Sequence, residues 1–147
     1  MEGLQVKLSD VQTKQKEIYQ NSIKISHQIE ANILIVFVTG KRSLDDSLYY
    51  WKKIIQFCQE NEIENIQLTL ALRGKFEPFE AIKNYQLVID IVKSHDFNIA
   101  IMDLNGLSKK DTKVACNMAS SQGMSCTYFD NEIRARAWLN EKSMATA

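Results

Sequence analysis

Four short apolar runs, each followed by a stretch of helical periodicity, recur along this chain. That recurrence restricts the fold to an alternating β-α architecture. The runs are Ile33 to Val38, Ile66 to Leu72, Asn98 to Leu104 and Ser125 to Phe129. After the first, Ser43-Leu44-Asp45-Asp46 has the composition of a helix cap with acidic residues in its opening turn. Leu44, Leu48, Trp51, Ile55 and Cys58 then follow at helical spacing and form the expected sheet-facing stripe. The second helix starts near Pro78, where a missing backbone donor does no harm, with Ile82, Tyr85, Ile89 and Val92 as its expected inner face. The third is expected to be capped by Ser108 with Asp111. Asp130 is the expected cap of the fourth, ahead of Ala135, Trp138 and Leu139.

Upstream, Ile23, Ile25, His27 and Ile29 alternate with polar residues, the pattern of a half-buried strand. Ala31-Asn32 turns it into Ile33 to Val38, so the first two strands are expected to form an antiparallel hairpin. In Ile66 to Leu72 only alternate residues are strongly apolar, whereas a parallel strand covered on both faces is usually apolar throughout. Right-handed crossovers between sequential strands put every connecting helix on one side. The expectation is therefore an α/β fold with a mixed five-stranded sheet, an antiparallel first strand and helices mainly on one face. Residues 1–21 are read as an N-terminal extension with a weak amphipathic stripe at Leu4, Leu8 and Val11. Residues 22–142 are read as the domain and 143–147 as a disordered tail.

Eighteen basic and eighteen acidic side chains cancel. Neither a nucleic-acid partner nor an anionic membrane is expected for a molecule with no net charge. The longest apolar run falls far short of the ~20 residues that span a bilayer, so no integral membrane association is expected. Residues 1–7 show no basic cap ahead of an apolar run, and no secretory signal is expected. Cys58, Cys116 and Cys126 are odd in number and lack paired spacing, which reads as reduced thiols of a cytoplasmic protein.

Three stretches, "VFVTGKRSLDD", "WKKIIQFCQENEI" and "FDNEIRARAWL", occur in an order and spacing that resembles the SpoIIAA-like family. That family is related to STAS domains and to the CRAL-TRIO lipid-exchange fold. The resemblance spans about residues 22 to 140 and also takes in Gly40. It implies a four-unit βα superhelix with an antiparallel first strand, and little biochemistry. Anti-sigma-factor antagonists among STAS proteins carry a phosphorylatable serine where the third strand passes into the next helix. Here that junction, Leu72-Arg73-Gly74-Lys75-Phe76-Glu77-Pro78-Phe79, has no serine or threonine, so the switch chemistry is expected to be absent.

Gly74-Lys75 is not a phosphate loop, because Thr69 stands where the first glycine is required and Phe76 where a hydroxyl is required. The basic pairs Lys41-Arg42, Arg73 with Lys75, and Lys109-Lys110 each stand where a parallel strand hands over to a helix. Ligands of open α/β sheets favour that edge. These six residues are either an anion- or partner-binding site or a solvated face balanced by nearby carboxylates. His27 and His95 are separated from the cysteines in the pattern of elements, so no nucleophile-base pair is read and no catalytic role is assigned. Asp103 and Asp130, at adjacent strand ends, lack a supporting histidine cluster for a metal. No cofactor or metal is expected. Tyr50 and Phe57, off the expected inner stripe, mark a candidate contact surface for the N-terminal extension or a second copy. The expected function is non-enzymatic binding or regulation involving a protein partner, a homodimer or a small anionic or apolar ligand. The alternatives are a small lipid carrier by CRAL-TRIO analogy and, behind it, an uncharacterised enzyme.

Overall fold

Two tight turns shape the first third of the molecule, which a computed structural model describes over residues 15–145. Strand β1 (Lys16–Gln20) turns through Asn21 (φ 52°) into β2 (Ile23–Glu30). Strand β2 turns through Ala31 and Asn32 (φ 50° and 63°) into β3 (Ile33–Lys41). Paired positive φ values suit the right-handed twist of a two-residue hairpin, and asparagine tolerates them well. Four βα units then follow: β3 with α1 (Leu44–Asn61), β4 (Asn65–Arg73) with α2 (Pro78–Val92), β5 (Asn98–Asp103) with α3 (Lys109–Ser121), and β6 (Ser125–Tyr128) with α4 (Glu132–Ala145).

The sheet has six strands in the order β1-β2-β3-β4-β5-β6, not five. The additional strand, β1, is polar and short, and lies inside the segment read as an extension. It pairs antiparallel with β2, so β2 is an interior strand. Pairing is antiparallel through β3 and parallel from β3 to β6. The stripe at Leu4, Leu8 and Val11 lies outside the described residues. Residues 143–145, read as tail, continue α4.

One face of the sheet and the helices α1, α2 and α3 share the main core, built on Leu34, Val36, Leu68, Ile99, Ile54 and Val92. The opposite face holds a smaller core in which Ile33, Ala100 and Met102 meet Ala135 and Leu139 of α4. The polar alternation in β4 points to this second face. There Gln67, only 2% exposed, accepts a hydrogen bond from Arg136 Nε at 2.9 Å. A buried polar side chain is thus satisfied by the last helix, as burial requires.

The inner face of α1 is rotated from the expected stripe. Tyr50, Trp51, Ile54 and Cys58 are buried, together with Asp46 and Ser47, while Leu48 and Ile55 are half-buried. Likewise α2 buries Ala81, Asn84, Ile89 and Val92 and leaves Ile82 half exposed. Ser43 caps α1 as expected, accepting from Asp46 N at 3.1 Å, and Pro78 opens α2. The cap of α4 is Asn131, whose Oδ1 accepts from Arg134 N at 2.9 Å, instead of Asp130. Asp130 is drawn away by a 2.8 Å salt bridge to Lys109. No helix among the described residues is long and apolar enough to cross a membrane.

Gly40 and Gly74 hold the ends of β3 and β4 for different reasons. Gly40 has φ 128°, and a methyl group there would lie 2.0 Å from the Ser22 carbonyl oxygen. Gly74 has φ 82° but open space around it. We expect Gly74→Ala to cost about 1–2 kcal/mol, from backbone strain alone. Gly40→Ala should cost at least about 3 kcal/mol, because a backbone clash is added. Urea denaturation of both variants checks this, and equal losses would contradict it.

Candidate functional site

The C-terminal ends of β3, β4 and β5 converge on one buried carboxylate. Asp103 is the last residue of β5 and its side chain is fully buried. Its Oδ2 accepts from Arg42 Nη2 at 3.2 Å, from Ser108 Oγ at 3.0 Å and from Thr112 Oγ1 at 2.5 Å. Its Oδ1 accepts from Asn105 N at 2.9 Å. Both oxygens of a carboxylate that burial strips of water are therefore met by protein donors. Ser108 stands at the N-cap of α3 but makes no side-chain cap bond: its oxygen accepts from Arg42 Nη2 and its hydroxyl donates to Asp103.

Arg42 follows β3 and reaches across the edge of the sheet. Its Nε donates to the Gly74 carbonyl at 3.2 Å, and Nη2 donates to Ser108 Oγ at 2.9 Å. In the other direction Arg42 N donates to the Arg73 carbonyl at 2.9 Å. Asn105 Nδ2 donates to the Leu72 carbonyl at 2.7 Å. The loop from Arg73 to Glu77 is thereby tied to both neighbouring strand ends. Its glycine is needed for conformation, and its carbonyl serves as an acceptor.

Behind Arg42, between the sheet and helices α1 to α3, lies a cavity of about 90 Å³. Its walls are largely apolar: Trp51 from α1, Leu68 and Leu70 from β4, and Val88 and Ile89 from α2. Ala115 and Cys116 of α3 and Cys126 of β6 complete it. The half-buried Phe76 and Tyr85 stand at its outer part. The other polar residues of the lining, besides Arg42, are Ser47, Tyr50, Asn84, Tyr85 and Thr112. Asn84 is only 3% exposed, and its Nδ2 has no hydrogen-bond partner.

Titration follows from this burial. Desolvation pushes the Tyr50 hydroxyl up, against a smaller downward pull from its hydrogen bond with Ser47. Tyr85 is pushed up to about 12, chiefly by burial. The Cys116 thiol is pushed up by its hydrogen bond with Cys126 and then by burial, and burial takes Cys58 up to about 12. All three thiols are free and buried. With their pKa values raised, Cys58 and Cys116 are poor nucleophiles.

The six basic residues singled out in the sequence differ in their surroundings. Arg42 is drawn inside against Asp103. Lys109 pairs with Asp130, which raises the lysine pKa and lowers the carboxylate's through their hydrogen bond. Lys41 and Arg73 are register neighbours at exposed strand ends, and Lys75 and Lys110 are also exposed. Tyr50 is not on an outer contact surface but 4% exposed in the cavity wall. Phe57 is half-buried and stacks on His27, with ring centroids 4.0 Å apart and planes 16° apart. Burial and then Lys16 lower the His27 pKa. His95 stacks on Phe97 at 5.1 Å. Among the described residues no group of three or more histidine, cysteine or acidic side chains is arranged to hold a metal ion. Sequence reasoning missed Asn84, Ser47 and Thr112. Their only signal was a polar residue at an inward helical position.

No protein-family model matches this chain, and no curated protein matches it. Among solved structures, the chain is similar to one from the malonate decarboxylase MdcD-MdcE heterodimer of Pseudomonas. The identity is 9%, with 87% of this chain and 79% of that chain covered, at a TM-score of 0.44. A likeness that distant leaves the reading to the site itself.

A buried amide donor without a partner destabilises the protein, and an apolar residue of similar shape removes that cost. We expect Asn84→Leu to raise Tm by about 2–5 °C, since ~1 kcal/mol corresponds to roughly 2–4 °C in a chain of this size. Differential scanning calorimetry reads this directly. A lower Tm would mean that the amide is already satisfied in the free protein.

Proposed function

We propose that this chain is a non-enzymatic, SpoIIAA-like/STAS-like binding domain that takes a small ligand in the cavity behind Arg42. The observation that carries the reading is the Asn84 amide, buried and unpartnered in the wall of a mostly apolar cavity at the C-terminal edge of parallel strands. That edge is where open α/β sheets bind ligands, and a concave apolar site with a few polar groups is the usual form of a small-molecule pocket. Four consecutive βα units with an antiparallel start fit the superhelix that the family resemblance implies.

A binding role is favoured over catalysis because the polar groups are committed to one another. Asp103, the carboxylate at the heart of the site, is already engaged by a guanidinium and two hydroxyls. The Cys116 thiol facing the cavity is held protonated by its hydrogen bond with Cys126 and by burial. Residues 72–79 contain no hydroxyl side chain to accept a phosphoryl group, so regulation by the serine switch is not part of the proposal. Three free, buried thiols fit a cytoplasmic setting.

A protein partner or a second copy is the other reading, and one observation favours it. Phe79, Leu107 and Leu104 are 95%, 73% and 63% exposed around the same end of the sheet, beside the exposed Arg73 and Lys75. Exposed apolar side chains in such a group suit protein contact. Lipid carriage fits less well. A cavity of about 90 Å³ is smaller than the ~150 Å³ space that takes a single benzene ring.

Native mass spectrometry of the full chain separates these readings. We expect a monomer that gains a small-molecule adduct from a fragment mixture and loses it in the Trp51→Ala or Leu68→Phe variant. A dimer without an adduct would transfer the function to the exposed rim. An adduct of acyl-lipid mass would restore the carrier reading.

A further inference from the structure

The hydrogen bonds already made in the cavity wall restrict what an occupant can offer. Among the described residues Arg42 is the one cation lining the cavity, and Asp103, behind that lining, neutralises it. Arg42 Nη2 is shared between Asp103 and Ser108, and Nε is given to Gly74. A carboxylate or phosphate on the occupant would thus be desolvated with no cation left to balance it. The Thr112 hydroxyl is donated to Asp103, and the Tyr50 hydroxyl is in a hydrogen bond with Ser47. Among the buried polar side chains of the wall, the Asn84 amide is left with a donor that lacks an acceptor, while Tyr85 is half-buried at the outer part.

Beside Asn84, in the buried part of the cavity, an occupant therefore needs one acceptor, no charge and an apolar body. We infer that the cavity binds a small neutral carbonyl compound of the ketone, ester or amide class. Its oxygen accepts from Asn84 Nδ2, and its hydrocarbon part packs against Trp51, Leu68 and Ile99. Size limits the occupant to a few heavy atoms, because about 90 Å³ is smaller than the ~150 Å³ of a cavity that takes benzene. A pocket built to hydrogen-bond a substrate group rejects an isostere that lacks it far more strongly than it resolves one methylene. Discrimination should thus rest on the oxygen and not on the chain. This inference rests on the small-ligand reading proposed above and names the chemistry of that ligand.

The test uses the full chain, amide and methyl NMR titration, and three probes with the same number of heavy atoms: 2-butanone, 2-methyl-1-butene and propionate. The alkene replaces the carbonyl oxygen by a methylene group, and propionate adds the charge. We expect 2-butanone to shift resonances of the cavity wall, with a Kd at least about tenfold below that of the alkene and of propionate. In Asn84→Leu, that preference over the alkene should vanish while the alkene still binds. Equal binding of ketone and alkene to the natural protein would overturn the carbonyl assignment but leave the cavity a small-molecule site. Tightest binding by propionate would replace the neutral ligand with an anion. If none of the three perturbs the cavity wall, both this inference and the ligand-binding reading fall. The comparison on the natural protein decides these outcomes even if the Asn84 variant does not fold.

Discussion

Asp103 ends β5 with a carboxylate from which water is excluded, and much of the geometry at this edge of the sheet answers that one charge. Arg42 must cross from the end of β3 to neutralise it. Thr112 must face inward from α3, and Ser108 gives up the ordinary capping bond of its helix to reach it. Arg42 then holds the Gly74 carbonyl, and Asn105, bonded to the other carboxylate oxygen through its own N–H, holds the Leu72 carbonyl. Strand ends and loops that would otherwise be joined only through the sheet are thus fixed to one another. A buried ion pair is weak evidence of net stability, because desolvation offsets most of the attraction. Its consequence here is positional: it sets where α3 and the β4–α2 loop lie.

The cavity follows from that placement. Sequential right-handed crossovers bring α1, α2 and α3 to one face of the sheet, and the end of their common core nearest Asp103 is lined by polar side chains instead of apolar ones. Ser47, Asn84 and Thr112 each occupy an inward helical position that an aliphatic residue would fill in an ordinary core. Cores pack to near-crystalline density unless something prevents it. Space beside an unpaired amide is costly to the free protein and useful only to an occupant.

The sequence made the strands legible because their apolar runs are bounded by clear turn and cap residues. Ala31-Asn32, the Ser43 cap and Pro78 all stand where local chemistry required them. Helix facing was less legible, and for one physical reason. In α1 two stripes overlap, since Trp51 and Cys58 belong both to the expected set and to the buried one. The inward Asp46, Ser47, Tyr50 and Ile54 separate them, and polarity at Asp46 and Ser47 disguised the face. Asn84 disguised α2 in the same way. Local rules failed where the polar end of the cavity lies, as expected when a site departs from the consistency that folding alone favours. Strand β1 escaped notice because an edge strand of Lys16-Glu17-Ile18-Tyr19-Gln20 has little apolar alternation. The inward turn of Arg42 depends on a partner 61 residues away, which no local pattern reveals.

A double-mutant cycle on Arg42→Met and Asp103→Asn, read by chemical denaturation, tests most directly whether this pair organises the edge of the sheet. Removing one partner of a buried pair leaves the other uncompensated, so each single variant should lose roughly 3–5 kcal/mol. The double variant should recover at least about 1–2 kcal/mol of the summed loss. Losses that add to within ~0.5 kcal/mol would contradict the account, because they would show that Arg42 and Asp103 are not energetically joined.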